Sequence, residues 1–279
     1  MPAYAYLFYI CIFVLGAVMG SFVGAMTWRM KHHRDWVRGR SECEHCHHQL
    51  AAVDLIPIIS YLSLRGKCRY CHKPIGKTAL ILEAGSGLAF LASALLLPSA
   101  LMQTWLTPVE SFVDLDAMTS LTLGLWFVCL TLTIALFNYD LHWRLLPNKL
   151  VFPLIGTSFT LSAVISLGIN HLDAGQWLLN LAMGMVPIAG VYGLMYLISD
   201  GRWIGLGDVK LGLAIGCLVP WWGGVIVLFL SNLLGSLVAV PKLIDHKVKG
   251  STQIPFGPYL ITSTFLVFLL GWVIKSLVL

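Results

Sequence analysis

Gly205-Leu206-Gly207-Asp208-Val209-Lys210 sets a carboxylate between a tight glycine turn and an apolar run that reads as the start of a membrane helix. Two glycines one residue apart permit a close backbone approach or a positive φ. An acid facing lipid is costly, so an Asp at the entry of such a helix is expected at the water boundary, its carboxylate turned to a protein cleft. Its candidate partner is Asp140, in Phe137-Asn138-Tyr139-Asp140-Leu141-His142-Trp143-Arg144, at the far end of another strongly apolar segment. The two acids can meet only if the chain returns them to one side of a bilayer.

Composition makes a bilayer the setting. The chain is 58% hydrophobic and 11% charged, with a mean hydropathy of +0.82, which excludes an ordinary soluble domain and predicts an all-α polytopic membrane protein. A hydrocarbon core of ~30 Å takes ~20 apolar residues per helix. About eight segments qualify, over residues 4–27, 78–98, 117–138, 150–168, 176–198, 207–220, 222–241 and 257–277. The sixth is short and carries Gly212 and Gly216, which suits the inside of a bundle. No Lys or Arg precedes Arg29, so the first segment reads as a retained helix rather than a cleavable signal. Trp177, Trp221 and Trp222 read as interfacial anchors, and Cys11, Cys129 and Cys217 as small core residues.

Loop charges give an orientation. Residues 29–77 carry Arg29, Lys31, Arg34, Arg38, Arg40, Arg65, Lys67, Arg69, Lys73 and Lys77 against Asp35, Glu42, Glu44 and Asp54, which marks a cytoplasmic insert. The next loop has Glu110, Asp114 and Asp116 and no base, so it faces out. Arg144 with Lys149, Arg202 with Lys210, and Lys242, Lys247 and Lys249 fall on alternate loops facing in, and Lys275 alone lies outside. Asp140 and Asp208 are thereby expected together at the cytoplasmic surface. The net charge of +5 follows from this topology and implies no nucleic-acid partner.

The insert carries Cys43-Glu44-His45-Cys46 and Cys68-Arg69-Tyr70-Cys71, two C-x2-C pairs at the spacing of a zinc ribbon. Thiols stay reduced in a cytoplasmic segment. A structural Zn²⁺ on Cys43, Cys46, Cys68 and Cys71 would supply folding free energy that so small an insert cannot draw from a core. A metal-free or redox-active insert is the alternative, with His45, His47, His48 and His72 as substitute ligands.

These features together resemble the type IV prepilin leader peptidases, membrane aspartic proteases that mature type IV pilins and pseudopilins. Gly20-Ser21-Phe22-Val23, the paired cysteines, Asp54-Leu55-Ile56-Pro57-Ile58-Ile59-Ser60, Leu64-Arg65-Gly66-Lys67-Cys68-Arg69, Leu82-Glu83, Gly-x-Gly-Asp at 205–208 and Pro255-Phe256-Gly257-Pro258 follow the family's order. The resemblance implies catalytic roles for Asp140 and Asp208, with Glu83, Gly205, Gly207 and Lys210 as substrate or cleft candidates. It implies prepilin or pseudopilin substrates cut after a short basic leader at the inner membrane. It also implies a second activity, N-methylation of the new N terminus from S-adenosylmethionine. Gly24, Glu44-His45 and Thr78-Ala79 stand where the family usually has Asn, a Pro-bearing pair and Tyr-Pro. The expected division is a first helix over 1–28, a zinc insert over 29–77 and a seven-helix peptidase core over 78–279.

Other readings stand beside this one. Asp208 also fits a helix cap, Asp140 an i,i+4 pair with Arg144, and Lys210 a carboxylate partner or a marker of the inner face. A non-catalytic assembly or transport protein with a zinc docking insert is the rival from another class, although no inverted repeat is apparent. An archaeal-type preflagellin peptidase would usually lack the paired cysteines.

Overall fold

A computed structural model describes residues 3–36, 39–103, 117–244 and 255–278. The acidic stretch with Glu110, Asp114 and Asp116, together with Arg38, Lys247 and Lys249, lies outside the described residues. The described residues are helical and contain no strand beyond the isolated bridges Glu42–Gln49 and Lys67–Pro74. The chain divides into two compact units, Met1–Leu95 and Leu96–Leu279.

The first unit is built on α1 (Ala3–Lys31) and α3 (Lys77–Gln103), with a 3₁₀ turn (Ala52–Leu55) and the short α2 (Ile59–Ser63) in the insert between them. Lipid offers no hydrophobic drive between two apolar helices, so they associate by close packing at small residues. Gly16 and Gly20 supply it. A Cβ on Gly20 would sit 2.7 Å from Leu82 O and from Ser86 Oγ, and one on Gly16 would sit 2.7 Å from Phe90 Cβ. Gly20→Ala is therefore expected to destabilise this unit by about 1–3 kcal/mol through overpacking, read as a lowered thermal midpoint in detergent.

The second unit comprises α4 (Ala117–Trp143), α5 (Asn148–Ala163) running into a π turn (Val164–Ile169), α6 (Ala174–Met185), a π turn (Val186–Gly190), α7 (Val191–Ser199), α8 (Leu206–Gly216), α9 (Trp221–Ile244) and α10 (Gly257–Val278). Pro187, which lacks an N–H and crowds the carbonyl four residues back, accounts for the widened turn between α6 and α7. α8 packs into that bend almost backbone to backbone: a Cβ on Gly184 would fall within 2.4 Å of Gly216 O.

Six helices among the described residues are long and apolar enough to cross a membrane, with Gly257–Leu270 as a shorter apolar helix. Among the described residues the count is thus somewhat below the expected eight. The sixth expected segment is α8, whose 11 residues rise only ~16 Å, about half a hydrocarbon core. It is instead enclosed, with Leu211, Gly212, Ala214, Ile215 and Gly216 all buried.

Candidate functional site

Three segment ends of the second unit converge on the two acids. Asp140 lies in the last turn of α4 and is 4% exposed. The chain turns sharply after it, with Arg144 at φ 53°, and re-enters through Leu146 and Pro147 into α5. Asp208 lies in the first turn of α8 and is half-buried. The third element is the turn into α10, where the Gly257 N–H donates to Asp140 Oδ2 at 3.0 Å.

Side-chain contacts close the site. Leu146 lies between two glycines: a Cβ on Gly207 would meet Leu146 Cβ at 3.0 Å, and one on Gly257 would meet Leu146 Cδ2 at 3.4 Å. Gly207 is thus required by a close approach. Neither it nor Gly205 has a positive φ, so the other permissive use of glycine does not apply here. Gly205 is the N-cap of α8 and lies against the Asp208 carboxylate, a Cβ on it falling 3.4 Å from Asp208 Oδ2, the neighbourhood of an acid at the third helical position whose charge the N-cap backbone favours. Asp208 thus stands in the position of a capping acid, and the same carboxylate lies near enough to Asp140 for their charges to oppose each other.

Other expected contacts differ. Arg144 is exposed, and no ion pair between it and Asp140 occurs among the described residues. Lys210 Nζ donates to Asn148 Oδ1 at 3.0 Å and lies 5.1 Å from the centre of the Phe152 ring. It thus fastens α8 to α5 without engaging a carboxylate. Glu83 belongs to the first unit, where it is buried and accepts the Ile58 N–H at 2.7 Å.

Two participants escaped sequence reading. Gly257 was legible only as part of a helix entry, not as a hydrogen-bond donor to Asp140. Tyr192, 1% exposed in α7, has its hydroxyl 3.2 Å from both Ser231 Oγ and Asn232 Nδ2 and its ring edge-on to Phe256, with centroids 5.4 Å apart. It buttresses the residue preceding Gly257. A mid-helix Tyr carries no local signal of such a role.

The cysteines of the insert come together as expected. The sulfurs of Cys43, Cys46, Cys68 and Cys71 all lie within 4.8 Å of one another and can hold a metal ion. The two pairs are built alike. The Cys43 N–H donates to His48 O and the His47 N–H to Cys43 O, while Cys68 and Lys73, and His72 and Cys68, repeat both bonds. His47 and His72 have φ of 55° and 56°. Burial raises the Cys43 thiol, but the backbone of Cys46 and His45 outweighs it and brings the thiol down to about 7.

Asp54 ties the halves together. Its side chain is 3% exposed and accepts from the Ala51 N–H, Arg69 Nε and the Tyr70 hydroxyl. Burial opposes ionisation, yet Arg69, Ala51 and Tyr70 hold the carboxyl below the ordinary carboxylate range. A lowered folded value means the stabilisation is present above the unfolded pKa and is lost as pH falls through the folded one. Asp54→Asn is expected to speed release of bound metal to a chelator several-fold at neutral pH; equal release rates would deny Asp54 this role.

Comparison with known proteins falls on the same two units. Residues 14–97 match the Bacterial Peptidase A24 N-terminal domain, and residues 126–240 match the Type IV leader peptidase family. A "Prepilin leader peptidase/N-methyltransferase" of Aeromonas hydrophila is 30% identical over 240 residues, covering 83% of this chain and 72% of that protein. One of the same name from Stutzerimonas stutzeri is 29% identical over 289 residues, covering 95% and 91%. Another, from Dichelobacter nodosus, is 31% identical over 234 residues, covering 83% and 71%. No solved structure gives a significant match.

Proposed function

Because this chain belongs to the type IV leader peptidase family, we propose that it is a membrane endopeptidase that removes the leader of type IV prepilins or pseudopilins and then N-methylates the new N terminus. Asp140 and Asp208 carry the cleavage. The observation that supports them most directly is their convergence at one end of the second unit, where the Gly257 N–H donates to Asp140 and the Asp208 carboxylate lies close enough to feel the Asp140 charge. Neighbouring carboxylates resist ionising together. One therefore takes a proton from water while the other, protonated, donates to the scissile carbonyl. The pair works as a unit, so neither acid is assigned a fixed part.

The excess of Lys and Arg in the insert and in the loops around Arg144 and Arg202 supports a cytoplasmic orientation for each at the inner membrane, where the leader junction of a prepilin would present itself. The four thiolates suit Zn²⁺, a soft tetrahedral donor set with no position left for a reacting water. Cys43, Cys46, Cys68 and Cys71 would hold it, and the ion would cross-link the two knuckles. Methylation calls for S-adenosylmethionine.

The test uses purified full-length protein in detergent with a synthetic prepilin, products being read by mass spectrometry. Cleavage behind the leader, followed on adding S-adenosylmethionine by a mature chain heavier by one methyl group, is the expected result. Prepilin that binds folded protein and stays intact would overturn the peptidase reading. One zinc per chain is expected by elemental analysis, falling severalfold in Cys68→Ser; a wild-type protein purified without zinc would refute the metal assignment.

A further inference from the structure

The insert holds an apolar segment that neither the metal cluster nor the candidate peptidase site uses. Val53, Leu55, Ile56, Ile59 and Leu62 are each between 41% and 65% exposed, in a loop otherwise rich in basic residues. The segment is suspended at two points. Asp54 binds it to the second knuckle through Arg69 and Tyr70. The Ile58 N–H binds it to Glu83 of α3.

The second tether sets its depth. α3 is apolar and long enough to span a membrane from Lys77 to Leu95, and Ile81 and Leu88 are 66% and 59% exposed along it, seven residues apart on one face. Ile81, two residues before Glu83, already belongs to that exposed apolar stripe. Glu83 Cα lies ~9 Å along the axis from Lys77, and helical side chains lean toward the N terminus. The carboxylate, and the Ile58 backbone with it, therefore sits about one turn inside the span.

The backbone chemistry agrees. Ile58 has φ 65° and ψ −51°, and the Ile59 N–H closes on Pro57 O at 2.6 Å, the three-residue γ-turn that is strained for a branched side chain. Such a turn leaves the central N–H without a local acceptor. In water that group would be solvated; at membrane depth it needs a protein partner, and a buried carboxylate provides one. Arg65 and Lys67, both exposed, follow α2 immediately, and Lys77 is exposed at the start of α3, a basic border suited to anionic headgroups above an apolar foot.

We propose that residues 53–62 form a membrane-inserted foot of the insert, with Ile56, Ile59 and Leu62 seated among phospholipid chains at the headgroup boundary and Glu83 as its anchor. The occupant is bilayer lipid. A docking prepilin is the competing occupant, and the experiment separates them.

Full-length protein carrying a fluorescent amino acid at Ile59, Leu62 or, as control, Lys73 is placed in phosphatidylethanolamine–phosphatidylglycerol nanodiscs. Quenching by lipids with a nitroxide near the carbonyl is compared with quenching by aqueous iodide. Probes at 59 and 62 are expected to be quenched severalfold more by the lipid nitroxide than the probe at 73, and to be shielded from iodide. Iodide quenching equal to that at 73, or shielding that appears only on adding prepilin, would overturn the proposal. A Glu83→Ala background should bring the probe at 59 toward the level at 73; unchanged lipid quenching there would overturn the assigned anchor. Bound-metal content, measured on each labelled protein, shows whether its insert is intact.

Discussion

Asp140→Asn and Asp208→Asn are each expected to reduce prepilin cleavage by about 10²- to 10⁴-fold, the range for loss of a positioned acid or base. Asparagine keeps the size of the side chain and an oxygen that can still accept the Gly257 N–H at position 140, so the fold should survive. What it removes is the titratable proton. The two carboxylates feel each other's charge, and groups that act as a unit lose function non-additively. The double variant should therefore be no slower than the slower single one. Single-turnover cleavage with a labelled prepilin measures all three, with thermal midpoints to show that each remains folded. Cleavage at the wild-type rate in either single variant would make that acid structural, a helix-capping group in the case of Asp208.

Gly257→Ala should be nearly as damaging without touching an acid. Its Cβ would sit 2.7 Å from Asp140 Oδ2 and 3.3 Å from Cγ, closer than carbon and oxygen tolerate, so the N–H to carboxylate bond must stretch or break. A hydrogen bond to a charged group contributes about 1.5–3 kcal/mol, and a fall of about 10- to 100-fold in cleavage is expected. Gly124→Ala, where an added Cβ meets nothing within 4 Å, is the matched control and should cleave normally. Wild-type cleavage by Gly257→Ala would show that the turn into α10 does not hold the acid in its working position.

The two variants differ in how visible their targets were before folding. Asp208 announced itself, because a carboxylate after two glycines at the mouth of an apolar run has few inexpensive uses. The cysteines did so as well: C-x2-C fixes one half of a four-sulfur shell locally, and repeating it leaves little freedom for the other half. Gly257 and Tyr192 were invisible as site residues. Their roles consist of contacts across 117 residues for Gly257 with Asp140 and 39 for Tyr192 with Ser231, and no local pattern carries such a pairing. Lys210 was visible as a charge near an acid, but its actual partners, Asn148 and Phe152, depend on where α5 packs.

The sequence by itself determined that the chain is helical and apolar enough to span a membrane, and where its cysteines cluster, and it singled out the two candidate acids, because hydropathy, thiol spacing and charge cost are properties of short stretches. Tertiary structure decided the rest. It made α8 an enclosed half-length helix, its Gly216 packed against the Gly184 and Met185 backbone where any Cβ would clash. It gave Asp140 its donor from the turn into α10. It took Glu83 to the Ile58 backbone, because a strained turn at that depth exposes an N–H that needs an acceptor. Each of these depends on which distant backbones come within hydrogen-bonding reach, and that is set by the packing of whole helices.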